Sequence, residues 1–183
     1  TMMTVFCEGR DYGYELAGVA MLFFRGEKVI PAKEGEEPLD NFILAETNLR
    51  PGRASLSVTV EREERTWEAS EIVPVSEENP DHDCELHLAR MLYQILSEIT
   101  GITPKWGVLT GIRVRKQMQR RLDQGLSREE VARELREDYL VSQEKLDLAF
   151  ATQQKEHAIL SRNTPDSFSL YLSLIHISEP TRL

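Results

Sequence analysis

The run Ala54-Ser55-Leu56-Ser57-Val58-Thr59-Val60 alternates small or apolar side chains with polar ones without a break. Successive side chains of a strand point to opposite faces, so this run predicts a β-strand with one buried and one wet face. The charged run 61–65 then turns the chain, and Thr66-Trp67-Glu68-Ala69-Ser70 alternates again. Together the two runs predict an antiparallel hairpin with Leu56, Val58, Val60 and Trp67 on its buried side.

Around this hairpin, residues 3–75 read as a small mixed α/β domain. Residues 4–7 form a short strand closed by Gly9. Asp11 is placed to N-cap a helix over 11–24, with Tyr14, Ala17, Met21 and Leu22 at helical spacing and Gly26 just past its end. Residues 31–38 read as a charged loop and 42–46 as a strand. The expected fold class is α+β: a helix on one face of a mostly antiparallel sheet, followed by a helical segment.

Residues 76–161 are that helical region. Positions 84, 88, 91, 92, 95 and 99 are all apolar and fall on one stripe of a helix that Gly101 ends. A second helix runs over 111–124 and stops at Gly125. Ser127 with Glu130 has the capping-box pattern and opens a third, with Val131, Leu135 and Tyr139 facing inward. Ser142 caps a fourth that runs toward Leu160.

Charge and cysteine usage narrow the function classes. The chain has 22 basic and 31 acidic residues, a net charge of −9, which argues against general nucleic-acid binding. Its longest strictly apolar run, 19–24, is too short to span a bilayer, so no membrane partner is expected. The start shows no secretory pattern. Cys7 and Cys84 lack paired spacing and fit a reducing cytoplasm.

Two constellations are candidate sites. His82, Cys84 and His87 lie within one short stretch, and Cys84 and His87 share a helix face. No second ligand cluster completes a tetrahedral site, and Cys84 also falls on the apolar stripe. The competing reading is a helix N-terminus carrying acidic residues at its positive end. The second candidate is residues 105–136, with nine Lys or Arg against four Asp or Glu. It reads either as a dock for a nucleic-acid or other anionic partner, or as a solvated helix face partly neutralised by neighbouring glutamates. The acidic remainder of the chain favours the latter.

Four stretches carry a resemblance to a known family. They are residues 5–29, with Glu8-Gly9-Arg10-Asp11-Tyr12 leading to Leu22-Phe23-Phe24-Arg25-Gly26-Glu27; Lys105-Trp106-Gly107-Val108-Leu109-Thr110-Gly111-Ile112-Arg113; Glu137-Asp138-Tyr139-Leu140-Val141-Ser142-Gln143-Glu144-Lys145-Leu146; and Pro165-Asp166-Ser167-Phe168-Ser169-Leu170-Tyr171. The second and third are the most specific. Over residues 3–171 the chain resembles the oxygen-independent coproporphyrinogen III dehydrogenases of the radical S-adenosylmethionine class, in the form with an extra N-terminal domain. Val114 departs from the pattern, which usually has proline after the arginine.

The resemblance implies an N-terminal, non-catalytic fragment truncated at the first strand of a catalytic barrel, residues 162–171. In the family a C-x-x-x-C-x-x-C motif follows directly and holds a 4Fe–4S cluster that binds S-adenosylmethionine. A deoxyadenosyl radical then starts the oxidative decarboxylation of coproporphyrinogen III to protoporphyrinogen IX, in haem biosynthesis. Residues 172–183 instead read Leu-Ser-Leu-Ile-His-Ile-Ser-Glu-Pro-Thr-Arg-Leu, which looks like translated sequencing adapter. Met3, rather than Thr1, suits the family's start. The fragment is expected to hold no cofactor itself; the full-length parent would use S-adenosylmethionine and the cluster. Its partners would be the porphyrinogen and the missing barrel. Tyr171 is the one residue the resemblance ties to cofactor binding, either by a hydrogen bond from its phenol or by packing alone.

Overall fold

A computed structural model describes residues 2–33, 35–38, 40–110 and 114–160. Five strands come first in the chain and carry one helix between them: β1 (Met2–Glu8), α1 (Gly13–Met21), β2 (Lys28–Pro31), β3 (Phe42–Arg50), β4 (Arg53–Arg62) and β5 (Arg65–Pro74). Among the described residues four helices follow: α2 (Pro80–Thr100), α3 (Val114–Asp123), α4 (Arg128–Glu137) and α5 (Gln143–Leu160). The class is α+β, as the patterning predicts.

The sheet order is β2-β1-β3-β4-β5. β1 pairs parallel with both β2 and β3, while the longer β3–β4 and β4–β5 ladders are antiparallel. The alternating run sets the register. Ala54, Leu56, Val58 and Val60 are all buried and pair with Leu49, Thr47, Ala45 and Ile43 of β3. Ser55, Ser57 and Thr59 face the other way. Helices α1 and α2 cover the apolar face, and Leu16, Ala20, Leu88 and Leu92 fill the space between. Replacing a fully buried Leu56 with alanine would cost about 2–5 kcal/mol in lost burial and cavity.

Three local expectations are corrected. The helix-capping role given to Asp11 is not realised: Tyr12 occupies the N-cap, and Asp11 Oδ1 accepts from Gly13 N at 2.9 Å in the turn before the helix. The buried face of α1 is Leu16, Ala17, Val19 and Ala20, whereas Tyr14 and Met21 are 80% and 51% exposed. Part of the 31–38 loop and the residues before it form β2, an edge strand of four residues. Trp67 does lie on the inner face, but only half-buried at the sheet margin.

The helical half follows its signals closely. Asn79 caps α2, with Pro80 at the first helical position, and Gly101 ends it at φ 68°. Cys84, Leu88, Met91, Leu92 and Ile95 form its buried stripe. The capping box of α4 is complete: Glu130 N donates to Ser127 Oγ at 3.2 Å and Ser127 N donates to Glu130 Oε2 at 2.7 Å. Ser142 Oγ accepts from Lys145 N at the start of α5. Met118, Val131, Leu135, Leu146 and Phe150 close the core of the α3–α5 bundle. Residues 111–113, the expected barrel strand 162–171 with Tyr171, and residues 172–183 lie outside the described residues.

Candidate functional site

The two stretches with the most specific family resemblance meet in space. The loop after α2 folds back on the connection between α4 and α5. Val108 N donates to Tyr139 O at 3.0 Å, and Ser142 N donates to Lys105 O at 2.9 Å. Lys105 pairs with Glu144, and Lys145 Nζ lies 5.5 Å from the Trp106 ring centroid. The approach is close because residue 107 has no side chain. Gly107 sits at φ 60°, and its neighbours leave no room for a Cβ. Leu140 adopts φ 58°, so both walls of the junction use left-handed backbone. Tyr93 of α2 anchors the same loop by donating to Pro104 O at 2.9 Å.

Beside this junction lies a polar network centred on Arg121. Arg121 is buried, and every nitrogen of its guanidinium is engaged. Nε donates to Glu134 Oε1 at 2.9 Å, Nη1 to Gln117 O and Oε1 at 3.2 and 2.8 Å, and Nη2 to the Tyr139 hydroxyl at 3.2 Å. Nη2 also lies 2.8 Å from Glu134 Oε1. Burial opposes the charge, but hydrogen bonds to Glu134 and Tyr139 outweigh it and hold the guanidinium more firmly protonated. The Tyr139 hydroxyl accepts from Arg121 and lies 3.2 Å from His82 Nε2, which leaves its own proton for the imidazole. The network ties α2, α3 and α4 together around a cleft of about 450 Å³ that Glu85 and Arg120 also line.

The sequence candidates therefore separate. His82 turns to Tyr139, His87 Nδ1 pairs with Glu71 Oε1 of β5 at 2.9 Å, and Cys84 is buried in the core. Among the described residues no group of three or more His, Cys, Asp and Glu is placed to hold a metal. The basic stretch is partly internal. Arg121 is its buried member, while the exposed Lys105 pairs with Glu144 and the exposed Arg128 stacks 4.4 Å over the Phe150 ring. Arg121 is neither on a solvated face nor free for a partner. No sequence signal marks it, because its partners Glu134 and Tyr139 lie in later elements.

The cluster that the resemblance implies needs three convergent thiolates. The chain has two cysteines, Cys7 on β1 and Cys84 on α2, and burial pushes both thiols above their ordinary range. The described residues do not fit such a cluster. Tyr12 also ties α1 to α2: its hydroxyl donates to Asp81 Oδ1 at 3.0 Å, and burial first, then this bond, raises the phenol above its usual range.

No protein-family model matches the chain. A solved structure of TolB from Acinetobacter baumannii aligns over 57% of this chain and 29% of its own, at 10% identity and a TM-score of 0.38, a likeness too slight to bear on the fold. The sequence similarity is more telling. Over 165 residues the chain is 29% identical to the oxygen-independent coproporphyrinogen-III oxidase-like protein HemZ of Bacillus subtilis (strain 168), covering 87% of this chain. The match covers 32% of HemZ, so the chain spans about a third of that relative's length. The similarity anticipated from the four motif stretches is therefore present: this chain resembles an oxygen-independent coproporphyrinogen-III oxidase-like protein.

Proposed function

We propose that this chain is the N-terminal, non-catalytic part of an enzyme that oxidatively decarboxylates coproporphyrinogen III to protoporphyrinogen IX without oxygen. The observation that carries this reading is the 29% identity to HemZ over 165 residues. In that reaction two propionate side chains lose carbon dioxide and become vinyl groups. The iron–sulfur and S-adenosylmethionine chemistry falls to a barrel outside the described residues, since the thiolates here do not fit a cluster. The porphyrinogen and that barrel are the proposed partners, and the cytoplasm is the proposed compartment. Among the described residues no helix is long and apolar enough to cross a membrane. On this reading the sheet and the helical region form a platform ahead of the barrel. The proposed role of Tyr171 is to donate a hydrogen bond near the bound S-adenosylmethionine.

The test begins with the source gene read past the codon for Tyr171. A C-x-x-x-C-x-x-C motif within the next few codons supports the reading, and its absence from the gene defeats it. The complete protein, reconstituted anaerobically, should form protoporphyrinogen IX, while this chain alone should take up no cluster iron. A complete protein with a filled cluster and no porphyrinogen turnover would also defeat it.

A further inference from the structure

We propose that the pocket between the β4–β5 turn, the loop after α1 and the C-terminal end of α2 binds a small organic anion with a flat apolar body and a carboxylate. The pocket has a volume of about 400 Å³, enough for a two-ring molecule. Phe24 and the half-buried Trp67 and Ile99 give it an apolar lining, and Ile102, 41% exposed, adds to it.

The charges are set by strand register. Arg62 and Arg65 are directly opposite each other across the β4–β5 hairpin, on the same sheet face as Trp67. Like charges in that relation repel unless an anion lies near them. Arg62 has one: it donates to both Glu27 carboxylate oxygens, at 2.8 and 3.4 Å, and stacks 4.4 Å over the Phe24 ring. Arg65 makes no ion pair or side-chain hydrogen bond with any described residue, and neither does the exposed Arg25, which also lines the pocket. With Glu27 taken up by Arg62, the lining holds three arginines against two glutamates, the other being the exposed Glu63. A locally positive pocket with one apolar wall, on a chain of net charge −9, selects an anion by charge and a flat ring by contact with that wall. The inference rests on this pocket alone and is independent of the catalytic reading above.

The test is calorimetric titration of the whole chain with naphthalene-2-carboxylate, and with naphthalene-2-carboxamide as the neutral match. The carboxylate should bind saturably and the amide about ten-fold more weakly, with the same loss for the carboxylate in the Arg25→Gln/Arg65→Gln variant. Both arginines are exposed, so circular dichroism should be unchanged. In a Trp106→Phe background, where Trp67 is the remaining tryptophan, the carboxylate should quench its emission. A second variant, Ile102→Glu, should weaken binding by charging the apolar wall. The proposal is overturned by equal affinity for acid and amide, by affinity that survives loss of both arginines, or by no saturable binding up to about 10 mM.

Discussion

Gly107 packs so tightly on Tyr139 that a methyl group on its Cα would come 1.8 Å from the Tyr139 carbonyl oxygen. Real Cβ atoms do not approach backbone that closely, so any side chain here would force the two loops apart. The φ of 60° adds a second penalty for residues other than glycine.

Gly107→Ala should therefore cost about 3 kcal/mol or more, combining steric overlap with left-handed strain. Gly101→Ala is the matched control. It has φ 68° but open space around it, so only the conformational cost of about 1 kcal/mol should appear. Urea denaturation of the two variants checks the difference. Equal losses would mean that the close approach is relieved at no cost.

Arg121 holds three elements through one buried guanidinium. Arg121→Met leaves Glu134 and the Tyr139 hydroxyl without their donor, at about 2–4 kcal/mol, the lower end reflecting the partial exposure of Glu134. Tyr139→Phe removes one hydroxyl and should cost about 0.5–1.5 kcal/mol. The double variant should lose less than the sum, because both changes strike the same bond. Additive losses in a double-mutant cycle would show the two side chains to be independent.

The β4–β5 turn is strained at two residues. Glu63 and Glu64 lie at φ 53° and 62°, a two-residue hairpin loop that favours Asn-Gly. Glu63→Asn with Glu64→Gly should raise stability by about 1–2 kcal/mol, since the native backbone there suits the new residues. A higher thermal midpoint with an unchanged circular dichroism spectrum is the expected result. Lower stability would show that the glutamates themselves hold the turn.

Glu85 gives a pH-dependent prediction. Burial pushes its carboxyl above the ordinary value of 4.5, Glu15 adds to the shift and His82 opposes it. The folded state therefore holds this proton more tightly than the unfolded chain. The stability contribution is fully present below the ordinary value and is lost as pH rises through the folded one. Glu85→Gln mimics the protonated form, so the variant should exceed the parent in urea midpoint at about pH 7 and match it at about pH 3.5. A variant less stable than the parent at neutral pH would contradict the assignment.

What could be read from the sequence is what depends on neighbours in the chain. The alternation 54–60, the α2 stripe ending at Gly101, and the Ser127–Glu130 box each arise from residues a few positions apart. The buried side of α1 was harder to read, because apolar and small residues cover most of that short helix and α2 decides which side is covered. Lys28–Pro31 is too short to show a period of two and becomes a strand only by lying beside β1. The Gly107–Tyr139 junction and the bonds from Arg121 to Glu134 and Tyr139 join residues 13 or more positions apart, which local patterns do not encode.

The place of β1 in the sheet has a consequence for how the protein is made. It lies inside the sheet, yet it leaves the ribosome before β2 and β3, the strands on either side of it, have been synthesised. Between Glu8 and the first residue of β3, Phe42, translation at about 5–20 residues per second takes roughly 2–7 s. For that interval Met3 and Val5, among the most deeply enclosed side chains in the finished protein, lack the β3 strand that closes one side of β1. The nascent chain thus presents its most apolar strand before it can be used, which makes this segment a natural client for a ribosome-bound chaperone.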